Sequence, residues 1–185
     1  MRTSTRIAAV AASAALAAAA VAAPASAARP DWSKKSDMSI VETAVGISSL
    51  AGFDSNDNDF DILIQALLAT GVVDVFDGTD YTVFAPTDGA FKSTLGAGTE
   101  QEAFDAAVAA LGVDGVADVL AYHVTDGVRN SKSVTKAKKI TMLNEGTISA
   151  RSGSVKAGST TAGFIATDIR VSDGMIHVID TVLLP

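Results

Sequence analysis

The chain has 185 residues, no cysteine, and 21 acidic against 14 basic side chains, a formal charge of −7. Without cysteine it has no disulfide, no thiolate metal site, no cysteine nucleophile and no cysteine for a bacterial lipid anchor, and the acidic balance disfavours nucleic acid as a general partner. The length suits one domain with a packed core.

In chain order, Arg2 and Arg6 precede an Ala-rich run from Ile7 to Ala23, and then Pro24-Ala25-Ser26-Ala27, where the small residues Ala25 and Ala27 fit an A-x-A cleavage site. Residues 1–27 are therefore expected to be a cleavable export signal, leaving no stable membrane insertion; a spanning helix needs about twenty strongly apolar residues. Cleavage would leave 185 − 27 = 158 residues and 12 − 21 = −9 charges, in the medium or the periplasm. Residues 28–38, polar and carrying Pro30, read as a linker in which Trp32 docks or stays mobile. The domain is expected at 39–185.

Ile40, Val41, Ala44, Val45 and Ile47 predict a helix within Met38 to Leu50, ending near Gly52. Asp54 to Asp59 is a polar turn cluster. After it, Phe60, Leu63, Ile64, Leu67 and Leu68 recur at i, i+3, i+4, i+7 and i+8, a second helix that Asn58 or Asp59 should cap and Gly71 should end. Tyr81 to Phe84 reads as a strand stopped by Pro86, with Thr87 opening a third helix. Thr99-x-x-Glu102 is a capping box for an Ala-rich helix through Leu111; Val113 to Leu120 adds a turn or two before Tyr122-His123-Val124 becomes extended.

From Lys139 onward the pattern turns strand-like. Lys139 to Leu143, Thr147 to Arg151 and Phe164 to Val171 are separated by turn signals at Asn144-Glu145-Gly146 and Ser152-Gly153. Ser172-Asp173-Gly174 should fold a long final strand back on Ile165 to Val171 as an antiparallel hairpin. In that strand Ile176, Val178, Val182 and Leu184 face one side and Met175, Ile179 and Leu183 the other, so it should be central, with both faces covered. Helices first and a sheet late make an α+β fold.

Catalytic chemistry has little to draw on. A hydrolase needs a nucleophile beside a base, and the only histidines, His123 and His177, sit in no motif; there is no Gly-x-Ser-x-Gly elbow. His177, in an apolar strand, reads as a satisfied core residue, and His123 as a hydrogen-bonded pin between strand and helix. Asp180, on an otherwise apolar face, must find donors.

Asp54, Asn56, Asp57, Asn58, Asp59 and Asp61 offer oxygen ligands suited to Ca²⁺. With Asp54 as first loop position, however, Asp59 falls where an EF-hand needs glycine and Gln65 where it needs glutamate, so the run reads as a solvated, helix-capping insertion open to weak, adventitious cation binding, and no dedicated metal or cofactor is expected. The glycines form no phosphate loop. Arg129, Lys132, Lys136, Lys138 and Lys139 gather positive charge that could meet a sulfated glycan, teichoic acid or acidic surface, but without interleaved aromatics the run reads first as a solvated loop.

Two blocks, Tyr81-Thr-Val-Phe-Ala-Pro-Thr-Asp-Gly-Ala-Phe91 and Gly174-Met-Ile-His-Val-Ile-Asp-Thr-Val-Leu-Leu-Pro185, resemble the signature segments of the fasciclin (FAS1) domain. Tyr122-His123 sits where that family carries a Tyr-His pair, so the resemblance runs from about Ser39 to the C-terminus. It implies a twisted antiparallel β-wedge or sandwich with helices packed against it. It also implies a secreted, bacterial-type adhesion module, not an enzyme, that binds a cell-surface or matrix protein or glycan as a monomer or weak homo-oligomer. Adhesion in the family is linked to an Asp-Ile pair and the Tyr-His pair, here Asp168-Ile169 and Tyr122-His123; the same residues also read as parts of the fold. A second reading is an extracellular or periplasmic carrier or sensor that holds a small apolar molecule or glycan between helices and sheet.

Overall fold

The structure is a computed structural model that describes residues 36–48, 52–75, 79–151 and 153–185. The expected export signal, residues 1–27, and Trp32 lie outside the described residues. The last part of the expected linker is fastened to the domain: Ser36 N–H donates to the Arg170 carbonyl at 2.9 Å, and the Met38 carbonyl accepts from Ser172 N–H at 2.9 Å.

The helices are α1 (Ile40–Ile47), α2 (Asp61–Thr70), α3 (Asp88–Leu95), α4 (Glu100–Ala121) and α5 (Ser131–Lys136), with a 3₁₀ turn at Val72–Val75. The strands are β1 (Tyr81–Pro86), β2 (Val124–Asp126), β3 (Ile140–Thr141), β4 (Thr147–Arg151), β5 (Ser154–Ala157), β6 (Thr160–Val171) and β7 (Gly174–Ile179).

Local chemistry accounts for most helix boundaries. Ser39 and Glu42 form a capping box on α1, which stops at Ile47 instead of running on toward Gly52; Ser48 turns extended and its hydroxyl accepts from Phe60 N–H at 2.9 Å. Thr87 caps α3, Thr99 and Glu102 form the expected box on α4, and Gly71 ends α2 in the left-handed region. Within α4 the backbone breaks at Gly112 (φ 69°, ψ 172°), dividing it into two helical segments. The apolar stripe of α2 is narrower than expected: Phe60 and Leu63 are buried, but Leu68 is exposed.

The expected cap of α2 is corrected. Neither Asn58 nor Asp59 caps it, and Phe60, the residue in the cap position, makes no side-chain hydrogen bond. Asp88, the first residue of α3, takes over. Its two carboxylate oxygens accept from the N–H groups of Asp61 and Ile62, both at 2.8 Å. A carboxylate from the next helix thus satisfies donors that would otherwise be orphaned at a buried helix end.

The seven strands are ordered β2-β1-β7-β6-β5-β4-β3. The sheet is mixed and not wholly antiparallel: β1 and β7 run parallel, with Tyr81 opposite Gly174 and Pro86 opposite Ile179. The two family-like blocks are therefore neighbours at the centre of the sheet. Gly174 is required there. Its φ is 151°, and a Cβ would stand 1.9 Å from the Tyr81 carbonyl oxygen.

Strand β7 is central and buried at every residue, but ends at Ile179. Asp180 lies beyond it, exposed, and accepts from Gly163 N–H at 2.7 Å, so it faces no desolvation problem. Strand β5 and helix α5 are additions to the expected elements. Asn130 caps α5 through Ser133 N–H at 2.8 Å, where the sequence reads as loop.

Alternation along β1 and β7 divides the core in two. Tyr81, Val83, Ala85, Ile176, Val178 and Val182 join α1, α2 and α4 in one cluster. Phe84, Ile179 and Leu183 point to the other face, closed by Val134 of α5 and by Ile148, Val155 and Ala162 of β4, β5 and β6. Burying each large side chain contributes about 1.5–3 kcal/mol, so both faces of β7 are anchored.

Candidate functional site

The Tyr-His pair is internal. Tyr122, 2 % exposed at the end of α4, donates its hydroxyl to the Thr147 carbonyl at 3.0 Å. Gly146 makes room for the ring; a Cβ there would lie 2.4 Å from Tyr122 Cε2.

His123 is also 2 % exposed. Its Nδ1–H donates to the Val119 carbonyl at 2.7 Å and its Nε2 accepts from Leu183 N–H at 2.9 Å, a tautomer assigned from those partners. It pins the end of α4 to the segment following β7. Burial pushes its pKa down to about 4, so the ring is neutral near pH 7.

His177 uses the opposite tautomer. Nε2–H donates to the Arg129 carbonyl at 2.8 Å, Nδ1 accepts from Asp168 N–H at 3.3 Å, and the ring stacks on Phe84 at 5.6 Å. Burial lowers its pKa as well. Asp168 is half-buried and accepts from both the backbone N–H and the hydroxyl of Ser131, at 2.6 Å each. Burial opposes its charge, but the two Ser131 hydrogen bonds outweigh this and hold its carboxyl below the ordinary range. Ile169 is 2 % exposed and belongs to the helix-side core.

The basic run divides. Arg129 is half-buried, its N–H donating to Thr82 Oγ1 at 2.8 Å, while Lys132 and Lys136 lie exposed on α5. Lys138 and Lys139, in the turn before β3, meet Arg151 and Lys156 around an open cleft of about 380 Å³, lined also by Thr147, Ser149 and Gly158 and by no carboxylate. All four cations are exposed. Among the described residues the only ion pair is between Lys92 and Asp57, so these charges are not neutralised internally.

Arg151 and Lys156 were not expected. The signal for them was present as period-two alternation: Ile148 and Ala150 point inward from β4 and Val155 and Ala157 from β5, which turns Arg151 and Lys156 outward, and the pairing sets Ser149 opposite Lys156. Only the pairing of β4 with β5 brings them to Lys138 and Lys139.

Two apolar hollows also lie among the described residues. One, about 40 Å³, lies under α1 and α2 beside Phe84 and His123; the other, about 180 Å³, is a groove between Phe91, Phe104, Leu111, Val119 and Leu184.

A family model for the fasciclin domain matches residues 58–185. The chain belongs to the fasciclin domain family. This fasciclin domain is 32 % identical over 152 residues to the protein sll1483 of Synechocystis sp., spanning 81 % of the chain and 75 % of the relative. It is 26 % identical over 114 residues to the cell surface glycolipoprotein MPB83 of Mycobacterium bovis, spanning 62 % of the chain and 48 % of the relative. Among solved structures it is similar to a FAS1 domain pair from the insect cell adhesion molecule fasciclin I, with a TM-score of 0.49, 17 % identity, and 64 % and 43 % of the two chains covered.

Chemically, the fasciclin domain offers its charges and not its histidines. Both ring nitrogens of His123 and of His177 are committed to backbone groups, leaving none to take a proton from a nucleophile. Among the described residues no helix is long and apolar enough to cross a membrane.

Proposed function

We propose that this fasciclin domain is an exported adhesion module that docks the cleft between β3, β4 and β5 on an anionic glycan or acidic protein face at a cell surface or in its matrix, by binding and without turnover. The observation that carries this reading is the convergence of Lys138, Lys139, Arg151 and Lys156 in a chain whose net charge is −7. A positive face on an acidic body helps to orient the molecule as it approaches a polyanion. The name of one relative, a cell surface glycolipoprotein, agrees with a surface role. The N-terminal pattern of residues 1–27 supplies the export route.

In this reading Tyr122, His123 and Ile169 act through the fold, because buried side chains have no surface to offer a partner. Asp168 acts one step nearer, by holding the segment that leads to Lys138 and Lys139. A pull-down of defined sulfated and phosphate-bearing polymers with the immobilised full chain tests the assignment. Capture should weaken in Arg151→Gln and Lys156→Gln while their melting curves stay unchanged; capture indifferent to both substitutions overturns it.

The apolar groove beside Phe91 and Phe104 favours one second reading, a carrier of a small apolar molecule. At about 180 Å³ it falls below the roughly 300–1,000 Å³ typical of small-molecule pockets, which ranks the carrier second. Native mass spectrometry separates the two, since a carrier retains a copurifying small molecule.

A further inference from the structure

Three helices begin at one place. Asp61, Asp88 and Glu100 are the first residues of α2, α3 and α4, and their exposures are 2 %, 0 % and 1 %. Asp59 is buried beside them. The sequence reading of Asp54 to Asp61 as a solvated insertion therefore holds only for its exposed part, Asp54 to Asn58.

Carboxylate oxygens of Asp54, Asp61 and Glu100 lie within 4.8 Å of one another, and those of Asp59, Asp61 and Asp88 do the same, so Asp61 is shared by both groups. Converging helix N-termini favour negative charge. Backbone and amide donors meet part of the demand: Asp88 accepts from Asp61 and Ile62, Glu100 Oε2 from Asp54 N–H at 2.6 Å, and Asp59 Oδ2 from Asn56 Nδ2 at 3.0 Å. The rest goes unmet. Asp61 Oδ2, Glu100 Oε1 and Asp59 Oδ1 are buried and have no hydrogen-bond partner.

Uncompensated carboxylate oxygens in a buried cluster are a costly arrangement unless a cation satisfies them. Lys92 does not resolve the conflict, because its ammonium is paired with Asp57 at the rim.

We propose that Asp54, Asp61 and Glu100 bind a hard divalent cation, Ca²⁺, at the junction of α2, α3 and α4. The donors are all oxygens, which suits Ca²⁺ or Mg²⁺. Ca²⁺ fits better: it accepts six to eight oxygens in irregular geometry, including bidentate carboxylates, whereas Mg²⁺ demands a near-octahedral shell and keeps its waters. Asp54 is exposed and gives the ion an entry path, and Asp59 offers a further unpartnered oxygen from the other side of Asp61. The bound ion fastens the Asp54 to Asn58 loop onto the three helix starts. No EF-hand spacing contains this set of ligands, because Glu100 comes from 46 residues beyond Asp54.

Isothermal calorimetry and thermal melting of the full chain, in EDTA and then with CaCl₂ or MgCl₂, test the site, with Asp61→Asn and Glu100→Gln as variants. The expected result is one Ca²⁺ per chain at an affinity on the order of 10⁻⁴–10⁻³ M, the range of extracellular Ca²⁺ modules. Ca²⁺ should raise the melting temperature by a few degrees, with Mg²⁺ weaker. Each variant should lose at least about tenfold in Ca²⁺ affinity yet melt in EDTA no lower than the parent, because it removes a buried charge. Should Asp61→Asn not fold, Glu100→Gln carries the comparison. No uptake up to about 10 mM Ca²⁺, well above that range, overturns the proposal, as does uptake equal in parent and variants. Variants that gain stability while the parent ignores Ca²⁺ also overturn it, and assign the cluster to shared protons.

Discussion

Asp168 grips Ser131 with both carboxylate oxygens, 2.6 Å from the backbone nitrogen and 2.6 Å from the hydroxyl. It can do so because β6 is irregular there: the pairing with β7 shifts register between Phe164 and Ala166 and again between Ala166 and Ile169, and Asp168 adopts φ 63°. A bulge of this kind re-aims a side chain out of the ladder. The N–H of Asp168 meets Nδ1 of His177, whose Nε2–H meets the Arg129 carbonyl, so the segment from Arg129 to Ser131 is held at both ends. That segment starts the connection through α5 to Lys138 and Lys139.

Removing the grip should loosen α5. Asp168→Ala leaves Ser131 without its acceptor and places a Cβ-bearing residue with no local hydrogen bond in the left-handed region; the expected cost is about 2–3 kcal/mol in urea unfolding. Asp168→Asn keeps an acceptor and tolerates that φ, so it should cost about 1 kcal/mol. Ser131→Ala should cost about 1 kcal/mol, and the double variant should fall short of the sum by roughly the same amount.

The parallel pairing of β1 with β7 rests on Gly174. Its place opposite Tyr81 leaves no space for a methyl group, the Tyr81 carbonyl oxygen standing 1.9 Å from where a Cβ would be. Gly174→Ala should therefore cost roughly 2–4 kcal/mol, read as a lower urea midpoint, and hydrogen exchange should show lost protection concentrated in β1 and β7.

The parts of this fold that were legible in the sequence are those set by neighbours along the chain. Thr87, Gly71 and the Thr99 to Glu102 box act within one turn, and the alternation of Ile176 and Val178 with Ile179 assigned each to the core face it occupies. The family-like blocks supplied the architecture. Contacts between distant segments were out of reach. Asp88 caps a helix that begins 27 residues earlier, and Asp168 meets Ser131 across 37. Helix α5 has six residues, too few for an apolar period, and β5 has four, closed in by Gly153 and Gly158. The cleft needed the β4–β5 register, since Arg151 and Lys156 are unremarkable alone.

His123 makes stability depend on pH. An unfolded histidine titrates near 6.5, whereas burial lowers His123 to about 4. The unfolded state therefore binds the extra proton first, so the contribution of the neutral ring is complete above pH 6.5 and is lost as pH falls toward 4. The full loss amounts to roughly 3 kcal/mol. Urea unfolding of the parent and of His123→Gln between pH 7.5 and about 4 should show the difference between them changing by that amount, with most of the change below pH 6.5. A difference independent of pH removes the neutral, buried ring from the explanation.

The docking role is tested most directly by biolayer interferometry of the full chain on an immobilised sulfated polysaccharide, from about 20 to 500 mM salt, a range in which the screening length shrinks several-fold. A variant combining Lys138→Gln, Lys139→Gln, Arg151→Gln and Lys156→Gln is compared with one carrying Lys132→Gln and Lys136→Gln, residues outside the cleft. The expected result is parent binding that falls steeply with salt, a loss of at least about tenfold at low salt in the four-residue variant, a smaller loss in the two-residue variant, and melting curves that coincide. Binding by the four-residue variant equal to the parent's, or no binding by the parent at the lowest salt, contradicts a docking role for the cleft.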